Sequence, residues 1–171
     1  ITTNAPHGPF YCPKNYTKLY ENNPNVPNVP FYGMITNIDD NMGKLMSFLD
    51  DENLRNNTIL IYMTDNGTSA GVKWNNRTKK NIGYNFNMKG KKNSEYEGGH
   101  RVPFIIDLPN AFSSSGAKTL SDLTAHIDIT PTLIDLCGLT CPTIAFDGIS
   151  LKNLFVKPNT KLPERTIVVE S

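Results

Sequence analysis

The chain has 171 residues, 38% of them hydrophobic and 19% charged, and a formal net charge of +1. That length supports a domain with a real core, and the balance is ordinary for a soluble protein. No apolar run approaches the roughly 20 residues that cross a bilayer, so a membrane-spanning helix is excluded and no membrane partner is expected.

The opening Ile1-Thr2-Thr3-Asn4-Ala5-Pro6 lacks the basic start and long apolar centre of a signal peptide. There is no initiator Met, and Thr166–Ser171 stops inside an expected strand. A fragment or mature product is therefore expected. Residues 1–5 read as the end of a strand. Pro6, Pro9, Pro13, Pro24, Pro27 and Pro30 then impose an extended loop, because proline fixes φ and offers no donor. From Phe31 to about Asp50 the period becomes helical. Met34 or Ile35, Ile38, Met42, Leu45 and Leu49 share one face, with Asp39, Asp40 and Lys44 opposite. Asn56 and Asn57 mark the exit.

Thr58–Thr64 is a short apolar run rich in β-branched residues, the pattern of a strand buried on both faces of an α/β sheet. Residues 67–100 show no periodicity and predict a long functional loop. Val102–Asp107 predicts a strand, with Pro103 confined to its edge or start. A polar loop runs to Ser121. Thr130 can cap and Pro131 can open a helix to Cys137, which Gly138 ends. Phe146-Asp147-Gly148 reads as a turn, Leu151–Phe155 as a short helix and Ile167–Val169 as a last strand. With no internal repeat, alternating strands and helices predict one α/β layered domain over residues 1–171.

The small net charge hides an asymmetry. Residues 72–101 carry eight Lys/Arg against Glu95 and Glu97, a local +6 that leaves −5 for the rest. Such a confined field suits an anion site; it also suits a solvated basic loop. Cys12 stands alone, and a Cys137-x3-Cys141 pair without nearby His is a weak metal signal. Cys137 falls on the apolar face of the expected helix and reads as packing, and a Cys137–Cys141 disulfide stays open. Four Asn-x-Ser/Thr sequons, at Asn15, Asn56, Asn66 and Asn76, are read as composition in an Asn-rich chain.

Three places have chemistry to offer. Asp65 and Asn66 follow directly on the apolar run, at the carboxyl end of a strand, where α/β sheets bind ligands. A carboxylate and an amide oxygen side by side suit a hard cation such as Ca²⁺ or Mg²⁺. Asn66-Gly67 is equally a leading hairpin-turn signal, and residue type does not choose between them. Lys92 lies in the Lys89–Lys92 cluster close to Gly98-Gly99, where an ammonium can meet an oxyanion and glycines let backbone approach. His7, held between Pro6 and Gly8-Pro9, is placed to donate a proton or to ligate, or is simply a loop histidine. Arg101 reads as an anchor of the loop through a carboxylate.

Taken together these segments resemble the sulfatase family of the alkaline-phosphatase-like superfamily. The resemblance rests on Thr3–Phe10, Tyr32–Gly43, Asn57–Gly67, Gly90–Pro103, His126–Gly138 and Asp147–Leu151, in the family's order, with the lysine-to-Glu97-Gly98-Gly99 segment the most specific. It implies an alkaline-phosphatase-like layered sheet with flanking helices, here lacking its N-terminal part. It implies hydrolysis of sulfate monoesters, with Asp65 and Asn66 as calcium ligands and Lys92 contacting the sulfate, Lys91 standing one step away. It implies that His7 contacts the sulfate and helps the leaving oxygen depart. The family's formylglycine comes from a Cys/Ser-x-Pro-x-Arg signature; Cys12-Pro13-Lys14-Asn15 does not match it, and the two early Asp ligands are also absent. The formylglycine is therefore expected in the missing N-terminal part, and the chain alone is expected not to turn over.

The expected partner is a sulfated small molecule or glycan, with no nucleic acid. The exposed core of a fragment invites a homodimer. The resemblance also implies a periplasmic, secreted or lysosomal-type compartment. Two other readings stand beside it: a phosphoesterase of the same superfamily, and a non-catalytic module that binds anions or sulfated glycans through the basic loop.

Overall fold

The computed structural model describes residues 1–109, 117–141, 144–157 and 159–169. The chain falls into two compact units, one built from Ile1–Arg55 and Leu60–Asp107, the other from Asn56–Ile59 and Leu108–Val168.

The first unit is organised by a long helix. After a single helical turn, α1 (Lys14–Thr17), comes α2 (Val29–Asp51). It starts two residues earlier than its hydrophobic period because Asn28 caps it. The Asn28 side chain accepts the Phe31 N–H at 3.0 Å, and Pro30 occupies the first turn, where its missing N–H costs nothing. Phe31, Met34 and Leu49 are buried on the predicted face, while Asp39, Asp40 and Lys44 are exposed. Tyr20 meets Thr36 through their hydroxyls at 2.6 Å.

The apolar run forms β1 (Leu60–Met63), which pairs antiparallel with β4 (Phe104–Asp107), Leu60 opposite Asp107 and Met63 opposite Phe104. β1 is half-buried along its length rather than buried on both faces, because β4 is its one ladder partner among the described residues. Arg55 closes this end of the unit, reaching Asp107 at 2.8 Å and Asp50 at 3.7 Å.

The loop expected over 67–100 contains structure that its composition conceals. β2 (Val72–Asn75) and β3 (Lys80–Gly83) form an antiparallel hairpin, and Glu97–His100 makes a helical turn, α3. The hairpin base is tied to α2 by one phenol. Tyr32 Oη donates to the Gly71 carbonyl at 2.8 Å and accepts the Tyr84 N–H at 3.2 Å.

In the second unit a 3-10 turn, His126–Asp128, leads into α4 (Ile129–Cys137), and α5 (Lys152–Val156) follows. α4 starts before Thr130, because the 3-10 turn has already brought Asp128 into helical geometry at the N-cap position. Gly138, at φ 62°, ends it as expected in a conformation that costs glycine nothing. Asp128 and Leu151 are fully buried, with Leu136, Leu154 and Thr132 beside them. Thr132 Oγ1 donates to the Asp128 carbonyl at 2.6 Å and accepts the Leu151 N–H at 2.9 Å.

Several expectations fail. Residues 1–5 enter no ladder, and Ile167–Val169 enters none among the described residues, so β-branched composition without a neighbouring strand forms no sheet. Cys137 is exposed at the helix end rather than packed, and Cys12, Cys137 and Cys141 are free thiols. The polar loop lies partly outside the described residues, as does the end of the last expected strand. Among the described residues no helix is long and apolar enough to cross a membrane.

Candidate active site

The carboxyl end of β1 delivers Thr64-Asp65-Asn66-Gly67. Asp65 Oδ1 accepts the Asn66 N–H at 3.0 Å, which leaves Oδ2 open. The Asn66 amide donates through Nδ2 to the Gly67 carbonyl at 3.0 Å, so its oxygen Oδ1 is the free end. Among the described residues neither Asp65 Oδ2 nor Asn66 Oδ1 has a hydrogen-bond partner. The hairpin reading of Asn66-Gly67 is not what the chain does. β1 pairs with β4, and Gly67 N–H donates to the Gly99 carbonyl at 2.8 Å.

That hydrogen bond is one of a set. Lys92 N–H donates to the Thr68 carbonyl at 3.0 Å, and Gly98 N–H to the Lys89 carbonyl at 2.8 Å. Together they lay the lysine segment along the end of β1, so residues 24 and 32 positions apart become neighbours through backbone alone. Such contact needs glycine. A Cβ on Gly67 would run into the Gly98 carbonyl, and one on Gly98 would meet Gly90 and the Lys89 carbonyl. Gly98→Ala is expected to cost about 1–3 kcal/mol, as overpacking against unyielding backbone does. A urea midpoint unchanged from the parent chain would refute this.

The cations of the segment divide by partner. Lys89 Nζ lies 3.5 Å from the Tyr96 ring centroid, and Arg101 pairs with Glu97 one helical turn away at 3.3 Å, the anchoring role read from the sequence. Lys92 is half-buried, and its ammonium has no acidic partner among the described residues. Lys91 is exposed, its N–H held by Ser94 Oγ at 3.2 Å. Burial and the Thr68 tether therefore favour Lys92 over Lys91 as the fixed charge.

His7 lies on an exposed turn, its N–H on the Asn4 carbonyl at 2.9 Å. Nδ1–H donates to the Gly8 carbonyl at 2.8 Å, which leaves Nε2 to exchange protons. From this turn a packed path leads inward. Phe10 meets Phe31 edge-on at 5.7 Å, and Phe31 backs Gly71, whose N–H donates to Thr68 Oγ1 at 2.8 Å. Thr68 is the residue that tethers Lys92.

A hard divalent cation fits what is here in kind and only partly in number. Consecutive residues offer two oxygen donors without hydrogen-bond partners among the described residues, whereas calcium takes six to eight. Among the described residues no three His, Cys, Asp or Glu gather as a metal cluster. The chain thus offers part of a coordination sphere.

Sequence reasoning missed one buried ionic centre. Asp128, fully buried, accepts from Ala125 N–H at 2.8 Å, Ile149 N–H at 2.9 Å and both Arg165 terminal nitrogens, Nη1 at 2.7 Å. Burial alone would raise its carboxyl pKa. The Arg165 and backbone hydrogen bonds, with the guanidinium charge, outweigh that and hold it below the usual carboxylate range. This centre holds the second unit together and presents no open atom to a ligand.

Comparison with known proteins adds a frame. The family described as Sulfatase matches residues 1–139. An arylsulfatase of Clostridium perfringens is 32% identical over 131 residues, covering 76% of this chain and 24% of its own. Human arylsulfatase A is 28% identical over 127 residues, 74% of this chain and 23% of its own. The crystal structure of Ps i-CgsB in complex with k-i-k-neocarrahexaose superposes with a TM-score of 0.74 at 28% identity, over 90% of this chain and 32% of that one. The chain spans about a quarter of the length of the curated relatives it matches.

Proposed function

The chain belongs to the sulfatase family, and we propose that it forms part of a sulfuric ester hydrolase that cleaves sulfate monoesters. Its alkaline-phosphatase-like fold is that of its structural neighbours. The observation that carries the proposal is the pair of backbone hydrogen bonds, Gly67 to Gly99 and Lys92 to Thr68. They bring the Lys92 backbone to the Thr68 carbonyl, two residues beyond Asn66, which supports a reading in which a tetrahedral oxyanion bridges a cation and this lysine.

In this reading Asp65 and Asn66 hold a divalent cation, calcium in preference to magnesium, because a flexible carboxylate and amide pair suits the larger ion. When bound, the cation supplies positive charge to the ester oxygens, and a formylglycine from outside this chain supplies the nucleophile. Lys92 holds a sulfate oxygen, and its charge is most useful as negative charge builds there. His7 Nε2 delivers a proton to the departing alkoxide while Nδ1–H stays on the Gly8 carbonyl and fixes the ring. The substrate is a sulfated small molecule or glycan; the neighbour solved with neocarrahexaose supports the glycan. The family resemblance carries the periplasmic, secreted or lysosomal-type location. Leu139, Ile144 and Val168 are exposed in the isolated chain, which favours pairing with a second copy, read by sedimentation.

Two measurements test the reading. The 171-residue chain, lacking the formylglycine signature, is expected to release no p-nitrophenol from p-nitrophenyl sulfate; robust calcium-dependent release would refute this. Calcium binding, followed by titration calorimetry, is expected to weaken at least about tenfold in Asp65→Ala, since even outer-shell partners of a metal cost that much. Anion binding that falls steeply with salt and ignores calcium would favour the non-catalytic module instead.

A further inference from the structure

A cavity of about 340 Å³ opens beside the lysine segment, lined by Val72, Trp74, Asn81, Met88, Lys89 and Lys91. The β2–β3 hairpin makes one wall. Val72 and Trp74 are two residues apart on one strand, and Asn81 sits directly opposite Trp74 across the ladder, so all three side chains share a face. Val72 is buried and forms the floor, whereas Trp74 keeps 53% of its surface exposed. The other wall is Met88–Lys91, and it is braced. The Asn85 amide donates to the Met88 carbonyl at 2.9 Å and to the Gly90 carbonyl at 3.2 Å, and Lys89 is seated on Tyr96. Lys91 lines the cavity, and the next residue, Lys92, is the one tethered to Thr68.

Resting on the sulfatase reading, we infer that this cavity is a saccharide subsite that binds an anionic sugar residue neighbouring the sulfate under attack. Each lining group matches a part of such a ring. An indole face that stays half in water is the surface on which the apolar C–H face of a sugar stacks. The Asn81 amide can both donate to and accept from hydroxyls. Lys91, exposed and without an acidic partner among the described residues, meets a sulfate or carboxylate on that ring. An aryl sulfate has one small ring and one charge, and it leaves the cavity empty. A sulfated oligosaccharide fills both positions, the site at Lys92 and the subsite at Trp74. The local +6 over residues 72–101 attracts the same class of ligand.

Trp74 is the chain's only tryptophan, so its emission reports on this cavity alone. The full chain is titrated with a sulfated carrageenan hexasaccharide, its chemically desulfated counterpart, methyl sulfate, and a single-stranded DNA of matched charge. The inference expects a saturable change in Trp74 emission with the sulfated hexasaccharide and none with the desulfated sugar or methyl sulfate. Lys91→Ala is expected to raise the hexasaccharide Kd about tenfold, the size of one charge-assisted contact. Trp74→Leu, followed by calorimetry, is expected to weaken it by a similar factor. Hexasaccharide binding that depends on Lys92 but leaves Trp74 emission unmoved would overturn the subsite while the sulfatase reading stands. An equal response to the DNA would reduce the cavity to plain polyanion attraction and overturn it as well. Absence of any binding by hexasaccharide or methyl sulfate would overturn both.

Discussion

If the proposed function holds, Lys92→Ala, made in a catalytically complete form of the protein, is expected to lower kcat for sulfate-ester hydrolysis about 10²–10³-fold. That is the loss seen when one fixed group facing a developing oxyanion is removed. The expectation depends on where the ammonium is held. Lys92 is half-buried and tied through its backbone to Thr68, so little further ordering is needed when charge grows on the ester oxygens. Lys91→Ala is the matched control. Its side chain is exposed and faces the hairpin cavity, so its loss is expected in KM for oligosaccharides, with kcat nearly kept. Steady-state kinetics on both variants, with an aryl sulfate and a sulfated oligosaccharide, separates them. If Lys91→Ala takes the kcat loss and Lys92→Ala does not, the assignment is shifted by one residue and wrong.

Arg165→Ala is expected to destabilise the second unit by about 3–5 kcal/mol, the cost of leaving a buried carboxylate without its counter-charge. Marginal stabilities of about 5–15 kcal/mol make that enough to unfold much of it. Asp128 loses both terminal guanidinium contacts in this variant, and Leu123 loses the donors that Arg165 gives its carbonyl, from Nε at 3.1 Å and Nη2 at 2.6 Å. The pH dependence has a definite sign. The folded Asp128 carboxyl titrates below its ordinary value of about 3.9. Its contribution is therefore fully present above that value and is lost as pH falls through the lower, folded one. Acid unfolding followed by circular dichroism should show this drop in the parent chain and a weaker one in Asp128→Asn. Identical acid profiles would refute the role given to the pair.

Much of this was legible in the residues. The α2 period placed its buried face correctly, and the apolar run placed β1 with Asp65 and Asn66 at its carboxyl end. The missing pieces share a cause, which is that they depend on partners distant in sequence. The β2–β3 hairpin carries Lys73, Asn75, Lys80 and Asn81, with Val72 its one buried apolar side chain among the described residues, so no alternation announces it. Asp128 hides between Ile127 and Ile129, and nothing local says that it is buried; its counter-charge is 37 residues away. Ile167–Val169 had the composition of a strand, and composition cannot supply the neighbour that a strand requires.

The single phenol of Tyr32 has a consequence for how this protein can vary. It grips both feet of the hairpin, at Gly71 and Tyr84, while the tip around Asn76–Lys79 is exposed and held by its own turn. The tip is thus an interchangeable part. Lineages or engineers can lengthen, trim or recode it to suit a different ligand, and the residues anchored below keep their alignment.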